Sequence, residues 1–400
     1  MVTIEEAQQI ILRHIAPLPA EELPLLQGLG RVASEDVFSP WDIPATDNSA
    51  MDGYAFSFAT VQGNSLYVVG NIPAGKERAT PVSAGEAVRI MTGAPIPRGC
   101  DTVVPIENVE TIGDTIRLKG DARPGSHIRK QGEDLRAGQR AIAASSRLRP
   151  QEIGMLASLG KTSVRVYRRP RVCILATGDE LLEIGSSPAP GKIINSNSYS
   201  IAAQVMESGG DPVLLGIAAD EVDRTCDRIR EGIRGDLLIT TGGVSVGDRD
   251  CVKEAIVVLG GGIKFWKVHM KPGKPLAFAI LEGKPVFALP GNPAAAMISF
   301  EVFVRPALLK MMGHKRISRP TVTAAVTESI ANKGNRPHLI RMRVEARQGG
   351  YIASATGNQS SARLSSLTAA NGFMTIAPGT VLAPGESVVV SLLDRPEGLP

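Results

Sequence analysis

Between Arg171 and Gly313, uninterrupted apolar runs alternate with amphipathic stretches, and this alternation restricts the chain to few folds. RVCILATG is continuously apolar through its centre, as in a strand covered on both faces. A helical stretch follows near 198–208, then the strand-like PVLLGIA, a helix near 221–233, and DLLITTGG. The next helix is expected from about Asp250 to Leu259, where Val252, Ala255, Ile256 and Leu259 share a face. PLAFAI and PVFAL then lead into a long helix ending near Gly313, kinked at Pro306. Alternating βαβ units predict a parallel, three-layer α/β sheet with right-handed crossovers.

The flanking sequence is of another kind. MVTIEEAQQIILRHI starts an amphipathic helix: Thr3 and Glu6 fit a capping box, and Ile4, Ala7, Ile10 and Ile11 repeat on one face. From Ser65 to Arg140 short strands separated by glycine and proline predict a small β-rich domain, and Leu148–Leu159 returns to a helical period. An inserted β-domain between two halves of a connecting domain accounts for that order. After Gly313, TVTAAVTES, LIRMRVEAR, YIASAT, FMTIA and SVVVSLL predict a barrel or sandwich of roughly 80 residues.

At 400 residues the chain is too long for one ordinary core, and its apolar fraction of 43% suffices for several. Aromatics at 4% argue against stacking platforms for single-stranded nucleic acid, and a net charge of +4 suits a small anionic ligand better than a nucleic acid. The segment Lys315–Arg347 is basic. The four cysteines are widely spaced, with no C-x-x-C pair, which predicts reduced thiols. With no positive leader and no apolar run of about 18 residues, a cytoplasmic protein without membrane contact is expected.

The strongest local signal is DLLITTGGVSVGDRD. In open α/β sheets ligands bind beyond the carboxyl ends of strands, and glycines there let backbone N–H groups approach an anion. The loop Gly242–Gly247 therefore predicts a phosphate site, although a bare glycine turn, with Asp248 or Asp250 as a cap, has the same appearance. In MKPGKP, Lys271 and Lys274 flank a tight turn, which favours anion binding over two solvated lysines. Pro290, Gly291 and Asn292 in LPGNP either present backbone amides or only start the following helix. Asp52, Asp134, Glu180, Asp220 and Asp250 all sit in turns, where each alone reads as a cap or solvated charge. Several carboxylates around a phosphate would repel it unless a hard cation bridged them, so Mg²⁺ is expected.

NSAMDGYA (48–55), RIMTGAPIP (89–97), RKQGEDL (129–135), ATGDEL (176–181), TTGGVSVGDRD (240–250), KPGKP (271–275) and LPGNP (289–293) stand in an order and spacing that resembles the molybdopterin molybdenumtransferases, the MoeA family, which includes the C-terminal domain of gephyrin. The resemblance spans nearly the whole chain and is least sharp in the last 80 residues. It implies an elongated multidomain α/β-plus-β protein. Connecting domain I would cover 30–46 and 137–168, and β-rich domain II would cover 47–136. An α/β molybdopterin-binding domain III would comprise 1–29 and 169–313, and a C-terminal β-barrel, domain IV, 314–400.

The resemblance also implies that adenylated molybdopterin and molybdate give molybdenum cofactor and AMP, with Mg²⁺ required. It implies a homodimer with an active site shared between subunits, and transient contact with the molybdopterin adenylyltransferase. Asp52 and Thr92 would reach the partner subunit's site, joined in the catalytic set by Asp134. Glu180, Asp220 and Asp250 would hold the metal, and Lys271 and Lys274 the anionic oxygens. Gly242, Gly243, Ser245 and Gly247 would cradle the pterin side chain's phosphate. Arg341 and Ser361 match positions for molybdate or ligand binding, with Arg336 or Ser365 as stand-ins. Two positions depart from the pattern: Asn195 where relatives often carry Asp, and Ser360 where Gly is more usual. The rival readings are an adenylyltransferase-like enzyme, a non-catalytic gephyrin-like scaffold, and tungstate in place of molybdate.

Overall fold

The computed structural model describes residues 1–243 and 251–398. Ser245, Gly247 and Asp250 lie outside the described residues. The chain divides into two compact units, Leu23–Val164 and Met1–Glu22 with Arg165–Pro400.

In the unit Leu23–Val164, six strands form one sheet in the order Thr102–Pro105, Gly53–Phe56, Glu86–Ile90, Ser65–Ile72, Thr115–Leu118, Val109–Ile112. Both faces are covered, because Phe56 and Ile116 join one apolar cluster while Ala55 and Val103 join another. A helix, Pro150–Ser158, starts with proline in its first turn, and the Glu152 carboxylate accepts from the Arg149 backbone N–H at 2.9 Å. Gly28 packs here too: a Cβ on it would lie 2.7 Å from Val164 Cγ1. The chain changes unit after Glu22.

The larger unit begins with helix α1 (Ile4–Arg13), whose capping box is present in both directions: Thr3 N donates to Glu6 Oε2 at 2.8 Å and Glu6 N to Thr3 Oγ1 at 3.1 Å. Ala7 and Ile11 are buried against the α/β core. That core is a six-stranded sheet of β1 (Arg171–Thr177), β2 (Asp211–Ala218), β3 (Leu237–Thr241), β4 (Gly262–Trp266), β5 (Ala277–Leu281) and β6 (Lys284–Leu289), in the order β2-β1-β3-β6-β5-β4. Strands β2, β1, β3 and β6 run parallel. The remaining pairs, β6–β5 and β5–β4, are antiparallel, so the sheet is mixed and not wholly parallel as expected. The reason is the turn Glu282-Gly283, with φ of 49° and 74°; two left-handed residues between paired strands make a tight hairpin that leaves no room for a crossover helix.

Helices α2 (Asn197–Glu207), α3 (Val222–Gly232), α4 (Cys251–Val258), α5 (Pro293–Ser299) and α6 (Arg305–Met311) cover the sheet. Val172, Ile174 and Phe287 face one apolar layer, and Cys173, Leu175 and Val286 face the other, which is why the strand sequences are continuously apolar. The expected long helix runs from Pro293 to Met311 and includes a π-helical segment, Phe300–Val304, immediately before Arg305 and Pro306.

The last region is a closed five-stranded barrel, settling the barrel-or-sandwich alternative. Its strands β7 (Thr321–Val326), β8 (His338–Arg347), β9 (Gly350–Ala355), β10 (Gly372–Ile376) and β11 (Ser387–Leu392) pair in the order β7-β9-β8-β10-β11, and β7 closes on β11. Part of the basic run before and within β8 is paired: Arg319 with Glu301 at 2.9 Å, and Arg343 with Glu397. All four cysteines are free thiols. Among the described residues no helix is long and apolar enough to cross a membrane.

Candidate active site

The glycine loop after β3 begins with two residues that no side chain suits. Gly242 (φ 88°) would place a Cβ 2.3 Å from the Thr177 carbonyl oxygen. Gly243 (φ 62°) would place one 2.7 Å from both Thr177 Oγ1 and Val252 Cγ2. Gly242 and Gly243 therefore lie directly on the end of β1. Together with residues of the loops after β1, β2 and β6 they line a cavity of ≈ 630 Å³ at the carboxyl edge of the sheet. Glu180 and Asp220 line this cavity, and no lysine or arginine does so among the described residues.

Its carboxylates are placed by the backbone. Gly178 (φ 148°) leaves the space that the Glu180 carboxylate fills, since a Cβ there would lie 2.5 Å from Oε2. Asp179, which the sequence reading passed over, braces the loop of Asp220. Asp220 N donates to Asp179 Oδ1 at 3.1 Å, and Asp179 N donates to Asp220 Oδ2 at 3.4 Å. The adjacency of Asp179 to Glu180 in ATGDEL was the only signal for it. Asn195 is buried and caps α2: Ser198 N donates to its Oδ1 at 3.2 Å, and its Nδ2 donates to Ser198 Oγ at 3.0 Å.

Glu180 and Asp220 are hard oxygen donors, the kind Mg²⁺ takes one or two of while leaving other positions to phosphate and water. No group of three or more potential ligating side chains occurs among the described residues. The residues present fit Mg²⁺ on those terms.

A second cavity, of ≈ 600 Å³, adjoins the first and carries the opposite charge. Lys271, Lys274 and Arg336 line it, with Ser360 and Ser361, and no acidic residue does so among the described ones. Neither lysine ammonium has an ion-pair partner among the described residues, so both charges are free to meet an anion. Arg336 is held by a hydrogen bond from Nη1 to the Met270 carbonyl at 3.0 Å. Arg341 does not line the cavity. It is fully buried on the face of β8 opposite the barrel core that Ile340 and Met342 join, where Nε donates to Ser366 Oγ at 3.1 Å and Nη2 to the Ser360 carbonyl at 3.1 Å, while Nη1 has no partner. Ser365 stands in the short helix Ser365–Thr368 and does not line it either. Ser360 has no left-handed φ, so glycine is not needed at that position.

His338, which the sequence reading missed, is buried beside this cavity, with Nε2 unpartnered. Burial, followed by the charges of Lys271, Arg341 and Arg336, pushes its imidazole down to about 4, leaving a neutral ring at pH 7. Its strand is clipped to the lysine turn: Lys271 N donates to the Pro337 carbonyl at 2.9 Å, and Leu339 N donates to the Lys271 carbonyl at 2.7 Å.

The two cavities have a common wall of Pro275, Pro290 and Asn292. Gly291 lines the carboxylate cavity, and its carbonyl accepts from Asn197 Nδ2 at 2.7 Å.

In the unit Leu23–Val164, Asp52 and Thr92 come together although forty positions separate them. The Thr92 backbone N–H and hydroxyl each donate to Asp52 Oδ1 at 2.7 Å. Those bonds, with the charge of Arg89, hold the exposed Asp52 carboxyl below the usual carboxylate range. In the RKQGEDL loop, Asp134 N donates to the Ile43 carbonyl at 3.1 Å. Two unremarked carboxylates fix that loop: Asp47 accepts from Lys130 Nζ at 2.8 Å, and Asp42 accepts from Ala137 N at 2.7 Å.

A mixed α/β domain with a carboxylate-lined cavity at its strand ends, followed by a closed barrel beside a cationic cavity, defines a molybdopterin-binding-domain protein of multidomain type. The chain matches the MoeA N-terminal region (domain I and II) over residues 2–160, the "probable molybdopterin binding domain" over 173–310, and the MoeA C-terminal region (domain IV) over 323–393. Molybdopterin molybdenumtransferase 2 of Mycobacterium tuberculosis is 36% identical over 393 residues, covering 95% of this chain and 96% of that one. The molybdopterin molybdenumtransferase of Nostoc sp. is 34% identical, covering 98% and 93%. The crystal structure of the molybdopterin biosynthesis MoeA protein from Pyrococcus horikoshii OT3 superposes with a TM-score of 0.84 at 30% identity, covering 98% of this chain and 100% of that one. The chain belongs to the MoeA family.

Proposed function

We propose that molybdenum transfer takes place at the two adjoining cavities, with the carboxylate-lined one receiving adenylated molybdopterin and the cationic one receiving molybdate. The chain is a molybdopterin molybdenumtransferase, inserting molybdate into molybdopterin. The observation that carries the two-cavity reading is their opposite fixed charge across one thin wall. Lys271, Lys274 and Arg336 attract a dianion and hold its oxygens, and the Ser360 and Ser361 loop adds polar contacts. The backbone of Gly242 and Gly243 receives phosphate oxygens, with Ser245 and Gly247 continuing the same loop. Glu180 and Asp220, with Asp250 of the same family motif, would hold Mg²⁺, which would supply charge neutralisation at the phosphoanhydride.

In a homodimer with a shared active site, Asp52, Thr92 and Asp134 would enter from domain II of the second subunit. Domain II covers 47–136, domain I 30–46 with 137–168, domain III 1–29 with 169–313 and domain IV 314–400. Contact with the molybdopterin adenylyltransferase would deliver the adenylated substrate.

Incubating the purified chain with adenylated molybdopterin, Mg²⁺ and molybdate is expected to release AMP in a molybdate-dependent manner. AMP release indifferent to molybdate would sink the proposal, and product without AMP release would remove the carboxylate cavity's role.

A further inference from the structure

A short strip of chain, Asp47–Met51, leads into Asp52 with another loop on each side. On one side is the loop of Thr92. Gly93 N donates to the Ser49 carbonyl at 2.8 Å, Ser49 N to the Ala94 carbonyl at 3.0 Å, and Ile96 N to the Asp47 carbonyl at 2.9 Å. On the other side is the approach to Asp134. There Ser49 pairs with Ile128 and Asn48 with Arg129, antiparallel, and Ala50 N donates to the His127 carbonyl at 2.9 Å.

This second pairing stops at Asn48 and Arg129, just short of the turn that carries Asp134. The Asp47 side chain continues it. Its Oδ1 accepts from Gln131 N at 2.8 Å and its Oδ2 from Lys130 Nζ at 2.8 Å. Lys130 first, then the Gln131 N–H, hold the carboxyl below the usual carboxylate range, so both bonds persist at neutral pH. The turn is closed on itself by Glu133, whose Oε2 accepts from Lys130 N at 2.7 Å, and Asp42 Oδ2 accepts from Gln131 Nε2 at 2.7 Å. Asp47 thus gives its carbonyl to the Thr92 loop and its carboxylate to the Asp134 turn, five positions before Asp52. Neither apolar cluster of the sheet includes Asp47, whose side chain is 40% exposed, so packing of the domain does not require it.

We infer that Asp47 is a positioning residue for molybdenum transfer, fixing the Asp134 turn against the Asp52–Thr92 pair so that the three are presented as one rigid set. The inference rests on the reading that these three residues take part in the reaction. The ion pair with Lys130 is exposed and worth little, so the bond to Gln131 N, which holds backbone, carries the role. A displacement of about 1 Å at a reacting group slows a reaction by up to about a hundredfold without touching contacts made elsewhere.

The test is the initial rate of AMP release from adenylated molybdopterin and Mg²⁺ with molybdate varied, using the full chain. Asp47→Ala is expected to lower kcat by about tenfold or more, with the KM for molybdate and the unfolding temperature unchanged. Asp47→Asn keeps an acceptor for Gln131 N and should restore most of the rate. Asp47→Glu keeps the charge, but its longer side chain displaces the turn, and it should be slower than Asp47→Asn. If Asp47→Ala fails to fold, the order of Asn over Glu decides, and equal rates in those two overturn the inference. It is also overturned by a wild-type kcat in folded Asp47→Ala, by a loss that Asp47→Asn does not restore, or by a loss that appears in the KM for molybdate. Asp52→Ala and Asp134→Ala are measured alongside. If both keep the wild-type rate, the part assigned to domain II is wrong and the inference falls with it. If both are inactive while Asp47→Ala is not impaired, the inference alone fails.

Discussion

Individual side chains in this protein separate by environment more than by type. Arg336 and Arg341 stand five positions apart in a basic stretch, yet one lines a cavity and the other is fully buried against Ser360 and Ser366. His338 lies between them, and its neutral ring carries a pH signature. Its folded value of about 4 lies below the ordinary 6.5, so between these pH values the unfolded chain binds a proton that the folded chain does not. Its contribution to stability is therefore complete above pH 6.5, is lost as pH falls towards about 4, and changes no further below that. His338→Asn is expected to flatten the dependence of unfolding temperature on pH across that window, relative to wild type. An unchanged slope in a pH series of thermal melts would show that folding does not lower the affinity of His338 for a proton.

At the level of elements, caps and turns were the most legible features and strand direction the least. Thr3 and Glu6 form the capping box that their spacing predicts, because such a motif is satisfied within four residues. Asn195 had suggested an acidic contribution missing from its loop. Its burial and its two hydrogen bonds to Ser198 give it the work of starting α2 instead. Asn195→Ala is expected to cost about 1 kcal/mol in urea denaturation, whereas Asn195→Asp, which keeps the acceptor for Ser198 N, should retain most of that stability. Equal losses in the two variants would mean that the Nδ2 donor, not the cap, matters. The hairpin β5–β6 was harder to foresee, since PLAFAI and PVFAL are apolar in the manner of buried parallel strands. Only the short turn Glu282-Gly283 distinguishes them, and it does so through backbone angles.

For the whole molecule, the critical prediction concerns two chains. Asp52 and Glu180 lie in different units, and neither is buried. Asp52→Ala and Glu180→Ala are each expected to abolish molybdenum insertion while leaving the unfolding temperature within a degree or two, as surface substitutions of this sort do. Mixed heterodimers, one subunit carrying each variant, should recover part of the activity, because one of their two shared sites is intact. Verified heterodimers without any activity would contradict a site built from both subunits.

The sequence by itself determined which segments bury both faces, where helices begin, where glycine is unavoidable, and, through seven ordered motifs, the family. These are properties of short windows: an apolar run, a cap, or a turn such as Gly242-Gly243 that closes on the adjacent strand end. Tertiary structure alone decided that the sheet is mixed, that the C-terminal strands close into a barrel, and that Arg336 faces the cationic cavity while Arg341 does not. The reason is that pairing across long sequence separations fixes strand direction and barrel closure, and with them the position of Arg336 before β8 and of Arg341 within it, on the face away from the barrel core. The opposition of a carboxylate-lined cavity and a cationic one across Asn292 arises in the same way, from loops that meet only when the sheet and barrel are assembled.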